Sequence, residues 1–238
     1  MDLILDIGNT RTKVAEFLNE GIHKLHVFEN GDKKALDDIY RLNPQSILVS
    51  SNNGAAFELP SHWKDKKTLL FTDQTPLPIH NAYTTPATLG KDRLAAAVGA
   101  HFLWPNKNVL ILDCGTCVTA DIITASGTYL GGSISPGLTM RYKAMHQLTG
   151  SLPLIEHQAI TEPIGNSTEK SIKSGAYFGL LYELEGRINH YQGIFDELHT
   201  VLCGGDATYF VNSLKYRIFA NQNLVLIGLN QILKHNDQ

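Results

Sequence analysis

Two short segments of this sequence carry the same arrangement of groups that can bind phosphate and metal ions. The segment Leu3–Gly8 ends in Asp-Ile-Gly, and the segment Leu110–Gly115 ends in Asp-Cys-Gly. Each is an apolar run typical of a buried strand that stops at a tight turn, which leaves the aspartate at the strand's end. Mg²⁺ prefers carboxylate ligands, and a glycine lets backbone N–H groups approach an anion. The repeat therefore predicts two hairpin tips suited to a phosphate chain and its metal ion.

The first tip offers the larger number of polar groups. Asn9 and Thr10 add donors after the glycine, Lys13 adds a positive charge, and Asp6 is a candidate ligand for Mg²⁺. In the second copy Thr116 follows the glycine. A single Asp-x-Gly-Asn-Thr motif is equally typical of a tight hairpin turn with a capping aspartate. The second copy favours the functional interpretation.

A third carboxylate, Asp92, follows a long loop at residues 73–90 that is rich in proline and threonine. It stands where a helix is predicted to begin. An acidic residue in a first helical turn is favoured by the helix dipole alone. The functional interpretation makes Asp92 the base beside an incoming phosphoryl group, with Arg93 as a fork for a carboxylate or phosphate. Spacing alone leaves both interpretations open.

Composition narrows the class of protein. The 238 residues are 43% hydrophobic and carry a net charge of −3, which gives no reason to expect nucleic acid or an anionic membrane as a partner. No apolar stretch approaches the roughly 20 residues that span a bilayer. Three cysteines without disulfide-type spacing favour a reducing cytoplasm. Cys114 and Cys117 form a C-x-x-C between two predicted strands, which favours structural cysteines over a redox or zinc site.

The predicted elements also repeat. Three strands and a helix are followed by further strands and helices, and this order then occurs again, which predicts two domains. The predicted strands cover 2–8, 12–18, 22–29, 47–50, 68–71, 108–114, 117–124, 128–134, 199–203 and 217–219. The predicted helices cover 33–42, 91–102, 137–148, 168–191 and 223–234, with Ser167 or Thr168 as the cap of the fourth. A further helix is predicted between Asp206 and the strand at 217–219. Neither G-x-x-x-x-G-K-[ST] nor G-x-G-x-x-G occurs, so any nucleotide must be held by the Asp-x-Gly turns.

Six motifs, taken in order, are specific enough to indicate a family. They are Asp6–Lys13, Asn81–Tyr83 leading to Leu89–Arg93, Asp113–Thr116, Gly131–Gly137, Ser167-Thr168 with Ser174-Gly175, and Gly204–Ala207. The chain resembles the type III pantothenate kinases of the acetate and sugar kinase/Hsp70/actin superfamily over nearly its whole length. The resemblance implies an α/β fold of two duplicated ribonuclease-H-like (actin-like ATPase) domains with a central cleft, at residues 1–107 and 108–238.

The same resemblance implies an activity and its partners. The expected reaction is ATP-dependent phosphorylation of pantothenate to 4'-phosphopantothenate, the first step of coenzyme A biosynthesis. The expected cofactors are Mg²⁺ with ATP and a monovalent cation, potassium or ammonium. A cytoplasmic homodimer is implied, with neither nucleic acid nor membrane as a partner.

Site roles carry over residue by residue from the family's motifs. Asp92 resembles the base that accepts the proton of the pantothenate primary hydroxyl, and Asp113 resembles the monovalent-cation ligand. Thr168 corresponds to a threonine that reaches pantothenate across the dimer interface. The ATP-binding residues implied are Asp6, Gly8, Asn9, Thr10, Arg11, Thr12, Lys13 and Thr116. The pantothenate-binding residues implied are Tyr83, Gly90, Lys91, Asp92, Arg93 and Thr168.

Two departures from the family pattern and two alternatives stand beside this expectation. Asn166-Ser167 occurs where the family often has Arg-Asn, and Lys91 replaces a commoner small residue, which alters the charge beside the predicted base. One alternative is another small-molecule kinase or a polyphosphate phosphatase on the same scaffold. The other is a non-catalytic regulatory protein, since some family members were first described as transcription accessory factors. The presence of Asp6, Asp92 and Asp113 argues against a non-catalytic relative.

Overall fold

The chain forms two compact units whose boundaries differ from the predicted division at 107/108. A computed structural model describes residues 1–51, 59–158 and 162–237. Unit 1 comprises Met1–Leu103 together with Asn223–Gln238, and unit 2 comprises Trp104–Gln222. The terminal segment thus belongs to unit 1, whereas the predicted second domain, 108–238, included it.

Elements alternate along the chain in nearly the predicted order. Up to residue 103 the chain forms β1 (Asp2–Ile7), β2 (Arg11–Leu18), β3 (Gly21–Glu29), α1 (Lys33–Tyr40), β4 (Ser46–Ser51), β5 (Lys67–Leu70), β6 (His80–Asn81) and α2 (Lys91–Leu103). From there it forms β7 (Val109–Cys114), β8 (Cys117–Ile123), β9 (Thr128–Pro136), α3 (Leu138–Leu148), α4 (Thr168–Gln192), β10 (His199–Cys203), α5 (Ala207–Phe210), β11 (Phe219–Ala220) and α6 (Leu224–His235). Short 3-10 turns lie at Ser61–Trp63 and Pro86–Thr88.

The strands of the two units follow one topology. In unit 1 the order is β3-β2-β1-β4-β5, with β1, β2 and β3 antiparallel and β4 and β5 parallel to β1. In unit 2 the corresponding strands follow the order β11-β10-β7-β8-β9, so β7 takes the place of β1. The duplication expected from the repeated Asp-x-Gly segments is therefore a duplication of the sheet.

Each sheet buries one face against its own helices. In unit 1 the odd residues of β1, Leu3, Leu5 and Ile7, pack with Ile47 of β4 and with the buried Trp63. In unit 2, β7 and β8 pack on α3 and α4 through a core that includes Leu112, Tyr142 and Leu180. Because successive residues of a strand project to opposite faces, Asp6 and Asp113 lie on the other face of their strands, one residue before each strand ends.

Helices α2 and α6 approach each other through two glycines, which ties the terminal helix to unit 1. A Cβ atom on Gly228 would overlap the carbonyl oxygen of Ala95, and one on Gly99 would overlap the carbonyl oxygen of Leu224. Gly228 and Gly99 are both buried. This contact places α6 against α2. The apolar pattern of residues 223–234 predicts a helix, but it does not predict which element the helix packs against.

The remaining expectations about the elements agree closely with the structure. Ser167 caps α4 by accepting a hydrogen bond from the Lys170 N–H at 3.3 Å. The predicted loop at 73–90 also contains β6 and a 3-10 turn. Among the described residues, no helix has the length and apolar composition needed to cross a bilayer.

The α2–α6 contact predicts a large effect of one methyl group. Gly228→Ala should lower the free energy of unfolding by about 2–3 kcal/mol, because the new Cβ must displace backbone rather than a flexible side chain. Urea unfolding followed by circular dichroism measures this change. Gly150→Ala is the matched control, since Gly150 is exposed and has no atom within 4 Å of the added Cβ. Equal stability of the two variants would contradict this account of the packing.

Candidate functional site

The β1–β2 hairpin forms the first polar tip. Ile7 pairs with Thr12, and the Gly8 N–H donates to the carbonyl oxygen of Arg11 at 3.1 Å. Asn9 and Thr10, between them, are exposed, as is Arg11. The turn therefore presents polar side chains and backbone to solvent at the end of a buried strand.

Asp6 and Lys13 face the same side of the sheet. They are directly opposed across the antiparallel β1–β2 pair, and opposed residues of such a pair project to one face. Ser50 of β4 lies beside Asp6 in the parallel register. Asp6 and Lys13 are both half-buried. The side chains of an acidic and a basic residue thus leave the backbone side by side at the base of the tip.

The first tip is joined to the end of β3 by Asn30, a residue that the sequence analysis did not single out. The Asn30 side-chain amide donates to the Gly8 carbonyl oxygen at 2.8 Å and accepts from the Thr12 hydroxyl at 2.8 Å. The Asn30 N–H donates to the Thr10 carbonyl oxygen at 3.1 Å. Thr12 is only 6% exposed, so its hydroxyl is directed to Asn30 rather than to the tip. The sequence Asn-Gly-Asp at 30–32 predicts a turn. It does not predict the partners of the Asn30 side chain, because these depend on the register of β2 and β3.

The start of α2 lies at the same edge of the unit 1 sheet. The Lys91 ammonium donates to the carbonyl oxygen of Ser51 at 3.0 Å. Ser51 ends β4 and is in register with Ile7, the last residue of β1. The hydrogen bond therefore brings the segment Gly90–Arg93 to the edge at which the Asp6 turn begins.

Asp92 is oriented by its own helix terminus. Its Oδ1 accepts a hydrogen bond from the Arg93 N–H at 2.8 Å. A Cβ atom on Gly90 would lie 2.6 Å from that same oxygen, so the carboxylate occupies space that only a glycine leaves open. Asp92 is half-buried. This arrangement fixes the orientation of a carboxylate in the first turn of α2.

Arg93 and Tyr83, both predicted substrate contacts, meet in the structure. The Arg93 guanidinium carbon lies 5.6 Å from the centre of the Tyr83 ring, within the range of a cation–π interaction. Arg93 is 6% exposed. The Tyr83 N–H donates to the side-chain oxygen of Asn81 at 3.0 Å, which fixes the turn that carries the ring. The two separate sequence motifs, 81–83 and 89–93, thus form one cluster.

The second tip differs from the first in shape. Cys114 pairs with Val118, and the Gly115 N–H donates to the carbonyl oxygen of Cys117 at 2.9 Å, so this turn is one residue shorter. Gly204 follows β10 with φ +88°, a conformation that favours glycine. A Cβ atom there would overlap both Asp113 Oδ1 and the Cys114 carbonyl oxygen. The Asp113 carboxylate is therefore enclosed by backbone, with Thr116 exposed at the tip.

Two titratable groups around the second tip have a raised pKa. Burial raises the pKa of Asp206, whose N–H donates to the Cys114 carbonyl oxygen at 2.8 Å. Burial, followed by the charges of Asp113 and Asp206, raises the pKa of the Cys114 thiol. A thiol held protonated is a poor nucleophile and a poor metal ligand, which supports the structural interpretation of this cysteine.

The donor set around Asp113 fits a cation that takes oxygen ligands. Asp113 Oδ1 and the Cys114 carbonyl oxygen both face the space beside Gly204. In the part of the chain that the structure describes, no three His, Cys, Asp or Glu side chains cluster as a metal site would require. Carboxylate and carbonyl oxygens suit a hard cation better than a soft transition metal.

Thr168 lies away from the second tip. It begins α4 and lines an open depression of about 650 Å³ with Asn166, Ser167 and Met145. Gly137 packs on the turn at 115–116, and Met145 is eight residues further along α3, about 12 Å at 1.5 Å per residue. Within this chain the structure therefore brings Asp113 and Thr116 together but leaves Thr168 at the other end of α3.

Sequence comparison matches one family over most of the chain. The family model described as type III pantothenate kinase matches residues 2–190. A type III pantothenate kinase of Christiangramia forsetii is 41% identical over 240 residues, covering 99% of this chain and 99% of the relative. A type III pantothenate kinase of Phocaeicola vulgatus is 41% identical over 244 residues, covering 100% of both chains.

Structural comparison confirms the predicted fold class of two ribonuclease-H-like domains. A Baf-family protein from Campylobacter jejuni has a TM-score of 0.61 at 20% identity, covering 99% of this chain and 98% of that one. A ROK-family glucokinase from Streptomyces griseus, in complex with glucose and AMPPNP, has a TM-score of 0.53 at 11% identity, covering 98% of this chain and 99% of that one. At these identities the likeness concerns the fold alone.

Proposed function

Because this chain belongs to the type III pantothenate kinase family, we propose that it transfers the γ-phosphate of ATP to the primary hydroxyl of pantothenate. The product is 4'-phosphopantothenate, so the reaction is the first step of coenzyme A biosynthesis, in the cytoplasm. The observation that carries this proposal is the match at 41% identity over the whole chain. The geometry of the described residues supports it further, since each predicted acidic residue stands at a strand or helix end.

The first tip is the proposed binding site for the ATP phosphates. Phosphoryl transfer depends mostly on positioning and on neutralising charge. The exposed backbone and side chains at residues 8–11 provide hydrogen-bond donors, and the Lys13 ammonium provides positive charge. The half-buried Asp6 carboxylate is a fitting ligand for Mg²⁺, directly or through water. Mg²⁺ supplies charge neutralisation on the phosphate oxygens. Thr116 is the proposed contact from unit 2.

Asp92 is the proposed general base. An alcohol is a poor nucleophile at neutral pH, and a carboxylate within hydrogen-bond reach can accept its proton as the new P–O bond forms. The Arg93 N–H and the space at Gly90 hold the carboxylate in one direction. Such fixed orientation lowers the entropic cost of reaching the reactive geometry.

The cluster of Tyr83, Gly90 and Arg93 is the proposed binding site for pantothenate. The Arg93 guanidinium matches the carboxylate that pantothenate carries, and its packing on Tyr83 limits the directions it can take. The Lys91 ammonium donates a hydrogen bond to the Ser51 carbonyl oxygen. This bond gives Lys91 a role other than direct contact with pantothenate. We assign Lys91 the role of fixing the start of α2.

Asp113 is the proposed ligand of a monovalent cation, potassium or ammonium. Its carboxylate oxygen and the Cys114 carbonyl oxygen both lie close to Gly204, where each would overlap a Cβ atom placed on that residue. A singly charged ion there would offset the carboxylate charge near the phosphate-binding groups of unit 2. The carboxylate and carbonyl oxygens support this assignment, since such oxygens are poor ligands for soft transition metals.

A homodimer is the proposed assembly, with Thr168 completing the pantothenate site of the partner subunit. One face of α4 carries Gly175, Tyr182 and Gly186 at helical spacing. Tyr182 is 55% exposed, and no atom lies within 4 Å of a Cβ placed on either glycine. An exposed glycine within a helix costs roughly 0.5–1 kcal/mol relative to alanine, so close approach of a second surface offers a reason for these residues.

The proposed reaction is tested by ADP release from the purified protein with MgATP and pantothenate, in parallel potassium and sodium buffers. We expect pantothenate-dependent turnover that requires potassium. Asp92→Asn should lower kcat by about 10²-fold or more, the usual contribution of a general base. Absence of turnover in both buffers would overturn the kinase proposal. Turnover that Asp92→Asn leaves unchanged would overturn only the role of Asp92.

A second variant tests the orientation of the base without removing it. Gly90→Ala should lower kcat by about tenfold or more, because the added Cβ pushes the Asp92 carboxylate from its position. The displaced group is the end of a flexible side chain, so thermal stability should change little. Kinetics and a melting curve are measured on the same preparation. A variant with wild-type kcat would show that this position of the carboxylate does not matter.

The dimer is tested by sedimentation equilibrium. The wild-type chain should have the mass of a dimer, and Gly186→Arg should shift it toward the monomer by placing a long charged side chain on the α4 face. Gly150→Arg, at an exposed glycine outside this face, is the control and should leave the mass unchanged. A monomeric wild type argues against the dimer, and a dimeric Gly186→Arg variant argues against this face.

A further inference from the structure

We propose that Asn30 is a positioning residue for the phosphate-binding turn, an inference that rests on the proposed function. Asn30 lies directly after β3 and is therefore distant in sequence from the predicted motif Asp6–Lys13. In the structure its main chain and side chain together bond three residues of that motif. The inference assigns Asn30 to nucleotide binding through the conformation of the turn.

Each of the three contacts acts on a different part of the turn. The Asn30 amide nitrogen Nδ2 donates to the Gly8 carbonyl oxygen at 2.8 Å. The Thr12 hydroxyl donates to Asn30 Oδ1 at 2.8 Å. The Asn30 main-chain N–H donates to the Thr10 carbonyl oxygen at 3.1 Å. Gly8, Thr10 and Thr12 are thus each hydrogen-bonded to Asn30.

The contact with Gly8 determines where the next N–H points. In a trans peptide the carbonyl oxygen and the following N–H project in opposite directions. No cis peptide occurs in the described chain. Since the Gly8 carbonyl oxygen is directed at Asn30, the Asn9 N–H is directed away from Asn30. An N–H presented in that direction can donate to a phosphate oxygen.

Only an asparagine-type side chain can make both side-chain contacts. Nδ2 is a donor and Oδ1 an acceptor, and the turn requires one of each. An aspartate of the same shape still accepts from Thr12, but it cannot donate to Gly8. It also places a negative charge beside a carbonyl oxygen and near the proposed phosphates. Asn30→Asp therefore changes the chemistry while preserving the volume.

The position of Asn30 is itself fixed on both sides. Glu29, the preceding residue, is paired with Arg11 across β2 and β3. Gly31, the following residue, has φ +93°, and Asp32 then caps α1 by accepting from the Ala35 N–H at 3.0 Å. The side chain of Asn30 is exposed, so its contacts make a small contribution to stability while still setting the direction of the turn.

The test uses the full-length protein and separates nucleotide binding from folding. Asn30→Asp should raise the Kd of MgATP, measured by calorimetry, and the KM of ATP by tenfold or more. The KM of pantothenate should stay within twofold of wild type. The melting temperature should fall by no more than about 2–4 °C, the shift that corresponds to a single modest interaction in a chain of this size. Asn43→Asp, the same change at an exposed asparagine in unit 1, should leave both ATP constants unchanged.

A second variant approaches the same network from its other side. Thr12→Val removes the hydroxyl that donates to Asn30 and should also raise the KM of ATP. The double variant should raise it by less than the product of the single effects, because both substitutions disrupt one network. Effects that multiply fully would overturn the shared network.

The outcomes for the proposed function and for this inference are distinct. A wild-type protein that neither binds MgATP nor phosphorylates pantothenate overturns both. A wild-type protein that does so, with an Asn30→Asp variant of equal ATP affinity, overturns the inference alone. An Asn30→Asp variant whose melting temperature falls steeply and whose two KM values rise together shows a structural residue, which also overturns it.

Discussion

Everything at the candidate site depends on how a buried strand comes to an end. β1 and β7 are each paired on both sides, so their backbone groups are satisfied until the last residue. Beyond that point the chain reverses within a few residues, through residues 8–11 in the first copy and 115–117 in the second. The aspartate one position before each strand's end then faces the same small volume as the turn's backbone. A polar site at the edge of a hydrophobic sheet follows from this geometry.

The two copies of this turn have diverged in length, and their surroundings have diverged with it. The first turn, longer by one residue, leaves several exposed donors at its tip and is held from the side by Asn30. The second turn is shorter and is enclosed by Gly204, which brings backbone against the Asp113 carboxylate. An open turn with donors suits an anion, whereas an enclosed carboxylate suits a cation. The two turns of the duplicated structure therefore offer different groups, exposed donors in unit 1 and a carboxylate in unit 2.

Local patterns in the sequence predicted the strands, the helices and the repeated order, because alternating or continuous apolar residues determine which face is buried. Other features depend on contacts between distant segments. The α6 pattern indicates a helix, but the two glycine contacts that place it against α2 involve residues far apart in the chain. Asn30 reads as part of a turn, and only the register of β2 and β3 shows that its amide reaches Gly8 and Thr12. The roles proposed for Asp92, Asp113 and Thr168 come from family resemblance and stay predictions.

Lys91 shows how a departure from a motif can be reinterpreted once its partner is known. By sequence alone, a lysine next to the predicted base changes the local charge. In the structure its ammonium donates to the Ser51 carbonyl oxygen at 3.0 Å, and Ser51 is in register with the last residue of β1. The hydrogen bond thus connects the start of α2, which carries Asp92, to β4, the strand that lies beside β1 in the sheet. Lys91 therefore fixes the start of α2 against the edge of the sheet at which β1 and β4 end.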